Sequence, residues 1–132
     1  LFALHTFFSK PQTFQRYIAA SPSLWFDNYA LLNRQAEWLK NKANTTQNVM
    51  LMTTVGTQEL GKGPAADPDA LKKQNDFYQN FKDQHSKQFS FWHFQHPAEQ
   101  HLTNMYASLP KAILLAGCQT ERCAALFDEP KP

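Results

Sequence analysis

"NVMLMTTVG", residues 48–56, is the stretch from which the fold can be read. Its first half is continuously apolar. A strand with one wet face would alternate, so this run predicts a parallel strand covered on both faces. Working outward, "RYIAASPS" (Arg16–Ser23) reads as a shorter buried strand running into a turn, and "KQFSFWHFQ" (Lys87–Gln95) as a third strand dense in aromatic residues. Helical patterns fill the gaps. Leu1–Ser9 carries an apolar stripe of Leu1, Leu4 and Phe8, and Lys10–Pro11 ends it, because the residue before proline disfavours helix. "DNYALLNRQAEWLKNK" (27–42) places Leu31, Leu32, Ala36 and Leu39 near one face, with Asp27 or Asn28 as its cap. After a Gly- and Pro-rich loop (57–68), Asp69 caps a helix to His85 with Leu71, Phe77, Tyr78 and Phe81 on its apolar side. The last helix spans Leu102–Gly117, with Gly117 as its C-terminal cap and Pro110 implying a kink or a later start.

Strand–helix alternation predicts one α/β domain over residues 1–132: about three parallel strands, right-handed crossovers and flanking helices. The segment "YIAAS" (17–21) is apolar, with no charge and no proline. Left at an edge it would be a pairing hazard, so it reads as a central strand whose neighbour lies upstream. The first helix has no Ser, Thr, Asp or Asn ahead of its apolar run, which agrees. Both features raise the expectation that sequence precedes Leu1.

The chain has 132 residues, 42% of them hydrophobic and 18% charged, and a formal net charge of +2. That charge, without a Lys/Arg cluster, argues against nucleic acid as a partner. No apolar run approaches a membrane span. The abundance of phenylalanine suggests a core or cleft built from rings. Cys118 and Cys123 could close a small disulfide loop, which would favour a periplasmic or secreted setting, or could be two unrelated thiols.

In open parallel sheets, sites lie at the carboxyl ends of the strands. Here those ends carry "SPSLWFDN" (21–28), then "VGTQELGKG" (55–63) with Glu59, then "HPAEQH" (96–101) with His96, Glu99 and His101. A carboxylate after one strand and a histidine after the next is the acid-then-base order of an α/β-hydrolase. There the histidine takes a proton from a nucleophilic hydroxyl, while the acid fixes its tautomer.

The segment "LFALHTFFSKPQTFQRYIAASPSLWFDN" (1–28) resembles the esterase family of α/β-hydrolases that includes the siderophore (enterobactin-type) esterases. The resemblance continues more weakly through "VGTQE" and "HPAEQH". Phe26 stands where the family usually has a second tryptophan, and Ala98 where it usually has glycine. The resemblance implies the C-terminal part of an α/β-hydrolase fold and a serine esterase acting on a small-molecule ester, with no metal or organic cofactor. It implies His101 as general base and Glu59 as candidate acid. Trp25, with the neighbouring Ser23 and Phe26, would line the acyl or aryl pocket. The nucleophile segment of the family, a G-H-S-x-G-G pattern, would precede Leu1, so this chain alone would be inactive.

Blander readings exist for each residue. His101 and Glu59 could be solvated loop residues, and Trp25 could be core. Ser21 and Ser23 lie outside any G-x-S-x-G turn and suit turn or cap roles. His93, His96 and His101 sit partly on a strand and partly in a loop, which would spread them apart rather than around a metal. The rival to the esterase is a non-catalytic α/β interaction module, self-associating through the exposed sheet edge as a homo-oligomer. Convergence of Glu59 and His101 within hydrogen-bond reach would favour the esterase.

Overall fold

A computed structural model describes residues 1–41, 48–62, 67–86 and 88–128. The elements are α1 (Phe2–Ser9), β1 (Arg16–Ala20), α2 (Phe26–Asn41), β2 (Val49–Gly56), α3 (Ala70–Lys82), β3 (Phe89–His96), α4 (His101–Gly117) and α5 (Thr120–Phe127). Short 3-10 turns cover Pro11–Thr13 and Thr57–Glu59. The strands form one parallel sheet in the order β1-β2-β3. All residues of β2 are buried, as its unbroken apolar start predicts for a central strand. The register pairs Ala20 with Thr54 and Gly56 with His96, so β1, β2 and β3 all end at one edge of the sheet.

The strand pleat sends alternate residues to opposite faces. Tyr17, Ala19, Val49, Leu51, Phe89 and Phe91 meet Leu4 and Phe7 of α1, Leu31 and Trp38 of α2, and Phe77 and Phe81 of α3. Phe7 sits inside this ring cluster, with its centroid between 5.3 and 5.8 Å from those of Phe8, Tyr17, Trp38, Phe81 and Phe89. Such offset and edge-to-face contacts add about 0.5–1.5 kcal/mol per pair beyond area burial. The opposite face buries Met50, Met52 and Trp92 against Leu115 of α4 and Cys123 of α5.

Several local expectations need correction. In α1 the buried residues are Leu4 and Phe7, while Leu1 is exposed. In α2 the inward face is Tyr29, Leu31, Gln35 and Trp38; Ala36 is exposed. Gln35 reaches the core because its amide donates to Phe77 O (2.7 Å) and its oxygen accepts from Asn80 (3.2 Å). Asp27 and Asn28 do not cap α2: with Tyr29 they adopt left-handed φ of 49 to 60°, which Asp and Asn tolerate best among non-glycine residues. Leu71 is exposed, and Asp69 precedes α3 without a side-chain cap bond. By contrast, β1 (Arg16–Ala20) runs into its turn as read from the sequence and lies at an edge of the sheet among the described residues. The α4 helix runs through Pro110, and Cys118, with extended backbone, follows it where a glycine cap was expected. The α5 helix was not foreseen; a disulfide joins Cys118 to Cys123 across the corner between α4 and α5. Residue 42, positions 63–66 of the Gly- and Pro-rich loop, and Lys87 fall outside the described residues. Among the described residues no helix is long and apolar enough to cross a membrane.

Candidate active site

The carboxyl edge of the sheet gathers Ser21 from the end of β1, Glu59 from the 3-10 turn after β2, and His101 from the first turn of α4. His101 Nδ1 lies 2.8 Å from Glu59 Oε2. The acid is sunk, with its side chain 15% exposed, whereas the imidazole is 65% exposed. The other carboxylate oxygen, Oε1, accepts from the Gly56 N–H (2.8 Å) and from the Ser21 hydroxyl (2.7 Å). All three bonds suit an ionised acceptor. A carboxylate held this way keeps the proton of a neutral His101 on Nδ1 and leaves the Nε2 lone pair open to accept a proton. Among the described residues Nε2 makes no hydrogen bond.

Two close approaches bring the histidine loop to the acid. A Cβ on Gly56 would stand 2.2 Å from Glu99 O, so only glycine lets the two loops touch. The Gln58 N–H donates to that same carbonyl (3.1 Å), and the Ala98 N–H donates to Thr57 Oγ1 (2.9 Å). Ala98 takes φ 60°, in the left-handed region that favours glycine. An open cleft of about 430 Å³ lies over the pair, lined by Trp25, Gln58, Glu59, Lys62, Gln100 and His101.

No family model matches the chain. It is 37% identical over 60 residues to the siderophore enterobactin esterase of Emericella nidulans, a match taking in 45% of this chain and 20% of that protein. The siderophore triacetylfusarinine C esterase of Aspergillus fumigatus matches with the same identity and coverage. Among solved structures, the BES protein from Bacillus cereus superposes with a TM-score of 0.72 at 21% identity, over 89% of this chain and 41% of that one. The siderophore hydrolase EstA from Aspergillus nidulans gives 0.67 at 21% identity, over 87% and 43%. The chain has the fold of an esterase-like α/β-hydrolase. It spans about a fifth of the curated relatives and under half of the solved structures it matches.

Within this esterase-like fold the residues singled out from the sequence part company. Glu59, His101 and Trp25 share the cleft. Phe26 lines a different cleft of about 550 Å³ with Leu1, Phe2, His5 and Arg34, although its ring centroid is 6.3 Å from that of Trp25. Ser23 lines neither; its carbonyl accepts from the Phe26 N–H at 3.1 Å. The three histidines take separate partners: His93 bonds Thr53 (2.9 Å) and stacks on Tyr78, His96 bonds Asn104 (2.7 Å), and His101 bonds Glu59. Among the described residues no group of three or more His, Cys, Asp or Glu could hold a metal ion. Ser21 and Asn104 were not marked as site residues, and the only signal for Ser21 was its place at a strand's carboxyl end. Ser21 is buried, and its hydroxyl faces the acid rather than the base.

Proposed function

We propose that this chain supplies the acid and base of a serine esterase, with Glu59 as the acid and His101 as the base. The observation that carries the reading is the 2.8 Å contact between His101 Nδ1 and a mostly buried Glu59 carboxylate. A solvated loop pair has no need of an acid held by two further donors. In the reaction, His101 Nε2 takes the proton of a serine hydroxyl as that oxygen attacks the ester carbonyl. The imidazolium, stabilised by Glu59, then protonates the leaving alkoxide. Water repeats the sequence on the acyl-enzyme. Ser21 is an unsuitable nucleophile, because its hydroxyl donates to Glu59. On this reading the attacking serine is not Ser21 and comes from a G-H-S-x-G-G segment of the kind the resembled family carries, a pattern these 132 residues do not contain. Trp25 and the cleft beside His101 receive the substrate, a carboxylic ester of the siderophore type named for the relatives.

The test is p-nitrophenyl acetate hydrolysis by this chain and by a longer form that includes the G-x-S-x-G segment. Turnover is expected only from the longer form, with His101→Ala lowering it by about 100- to 10,000-fold. A well-folded longer form without turnover overturns the reading.

One set of observations favours a second reading, self-association without catalysis. Leu102, Tyr106, Leu109 and Ile113, spaced by four, three and four residues along α4, are all at least 52% exposed. These side chains form an exposed apolar stripe along α4, and β1 has an open edge among the described residues, features of the kind that attract a partner. Light scattering that shows a monomer at micromolar concentration would remove this reading.

A further inference from the structure

The acid is tied to the interior by hydrogen bonds whose donors all point the same way. Asn104 on α4 is fully buried and Ser21 nearly so. The Asn104 amide nitrogen donates to Ser21 Oγ (2.7 Å) and to Thr54 Oγ1 (3.1 Å). Its oxygen must then accept, so His96 carries its proton on Nδ1, 2.7 Å away. The Ser21 hydroxyl, already accepting from Asn104, spends its one proton on Glu59 Oε1 at 2.7 Å. The sequence of donors runs His96, Asn104, Ser21, Glu59, and the carboxylate is the sink that also accepts from His101.

The surroundings leave no room for the reverse polarity. Ser108 Oγ lies 2.6 Å from both Asn104 O and Thr54 Oγ1. The carbonyl can only accept, so Ser108 gives it its proton and Thr54 donates to Ser108. Thr54 Oγ1 is then free to accept only from Asn104. Beyond His96, Lys111 Nζ stands 3.5 Å from Nε2, a cation facing the acceptor nitrogen. Ser21 is held with φ 45°, a conformation serine rarely adopts and that surrounding structure must enforce.

We propose that Ser21 and Asn104 are positioning residues: this polarised chain locks the Glu59 carboxylate against His101 and so sets the imidazole tautomer. The proposal rests on the esterase reading of the Glu59–His101 pair. Neither residue touches substrate; each acts through Glu59. Bonds polarised in series strengthen one another, so loss of one link frees the next.

The experiment is nitrogen-15 NMR of the histidine side chains, which reports each tautomer without any need for turnover. In the wild type, His101 and His96 are both expected to be predominantly Nδ1–H. Ser21→Ala removes the donor to Glu59. Asn104→Asp keeps the shape, but its carboxylate draws the Ser21 proton away from Glu59. Each is expected to lower the Nδ1–H to Nε2–H ratio of His101 by about fivefold or more, the effect of roughly 1 kcal/mol. Leu115→Ala removes core packing from the same helix as Asn104 without touching this chain of donors, so it should cost stability while leaving the His101 tautomer unchanged, which separates positioning from a general loss of fold. In the longer, active form, the first two variants should lower kcat by about tenfold or more with KM nearly constant.

An unchanged His101 tautomer in folded Ser21→Ala and Asn104→Asp overturns the proposal. So does a wild-type His96 found mainly as Nε2–H, a result that needs no variant to fold. Tautomer shifts as expected without turnover in the longer form would overturn the esterase reading and leave the positioning intact. Normal turnover in the variants would overturn the positioning and leave the esterase.

Discussion

At Gly56 a single hydrogen atom decides whether the two loops of the site can meet. The Glu99 carbonyl occupies the place a side chain would need, 2.2 Å from an ideal Cβ. Gly56→Ala must push the histidine loop outward, and a shift near 1 Å between catalytic groups can cost about 100-fold in rate. The expected outcome is a stability loss of about 1–3 kcal/mol by urea denaturation and a weakened Glu59–His101 contact, seen as a changed His101 resonance. A wild-type His101 spectrum in Gly56→Ala would contradict this. Ala98 presents the opposite case. Its φ of 60° strains a residue that has a Cβ, and such strain is on the order of 1–2 kcal/mol, partly offset by the extra chain entropy of glycine. Ala98→Gly is therefore expected to stabilise by about 0.5–1 kcal/mol, read as a higher Tm; a fall in Tm would show that the Thr57 bond to its N–H already absorbs the strain. The meeting of Glu59 and His101 was legible in the sequence because an acid and a histidine follow successive strands. Ser21 and Asn104 were not, since a hydroxyl and an amide carry no spacing signature and act only once the sheet edge has gathered them.

The elements were legible where pattern and environment agree. The β2 strand shows this best: an unbroken apolar start, and burial at every position. The α2 helix shows the failure. Its inward face includes Gln35, whose polar side chain hid the stripe, and its first turn begins with three left-handed residues that no cap pattern signals. The α5 helix escaped because "TERCAALF" is short, and its place depends on a covalent link rather than a long apolar face. That link carries a prediction. The Cys118–Cys123 disulfide closes a loop with a sequence separation of five, for which loop-closure entropy gives about 2 kcal/mol. The Arg16 guanidinium donates to Cys118 O (2.7 Å), tying the same corner to β1. Reduction with dithiothreitol is expected to lower the Tm and to raise amide exchange first in Thr120–Phe127. Reduction that leaves exchange in α5 untouched would show that Leu115, Trp92 and Phe127 pack the corner without the covalent bond.

Across the whole molecule, stability should depend on pH through a histidine outside the proposed site. His93 lies on β3, the edge strand opposite β1, with its ring stacked on Tyr78 of α3 at a centroid distance of 3.7 Å. Its Nδ1 bonds Thr53, while its Nε2 is buried without a partner among the described residues. Burial, helped by the nearby positive charge of Lys82, pushes the imidazole down to about 4 from an ordinary 6.5. The sign follows from which state binds the proton. Between pH 6.5 and 4 the unfolded chain protonates this histidine and the folded chain does not, so stability is full above 6.5 and falls as the pH drops toward 4. Below 4 both states are charged and this group contributes no further slope. One proton bound only by the unfolded state gives a limiting slope of about 1.4 kcal/mol per pH unit. Asp67, held below its usual range by its bond to Lys73, acts in a separate window: its contribution is lost as the pH falls below the ordinary carboxylate value of 3.8. Urea denaturation at pH 7, 5.5 and 4.5 should therefore show a steep acid loss in the wild type and a shallower one in His93→Gln, which keeps a polar group opposite Thr53 but cannot take up a proton. Parallel losses in the two proteins would mean that His93 admits its proton in the folded state, which the stacked ring of Tyr78 and the buried Nε2 leave little space to do.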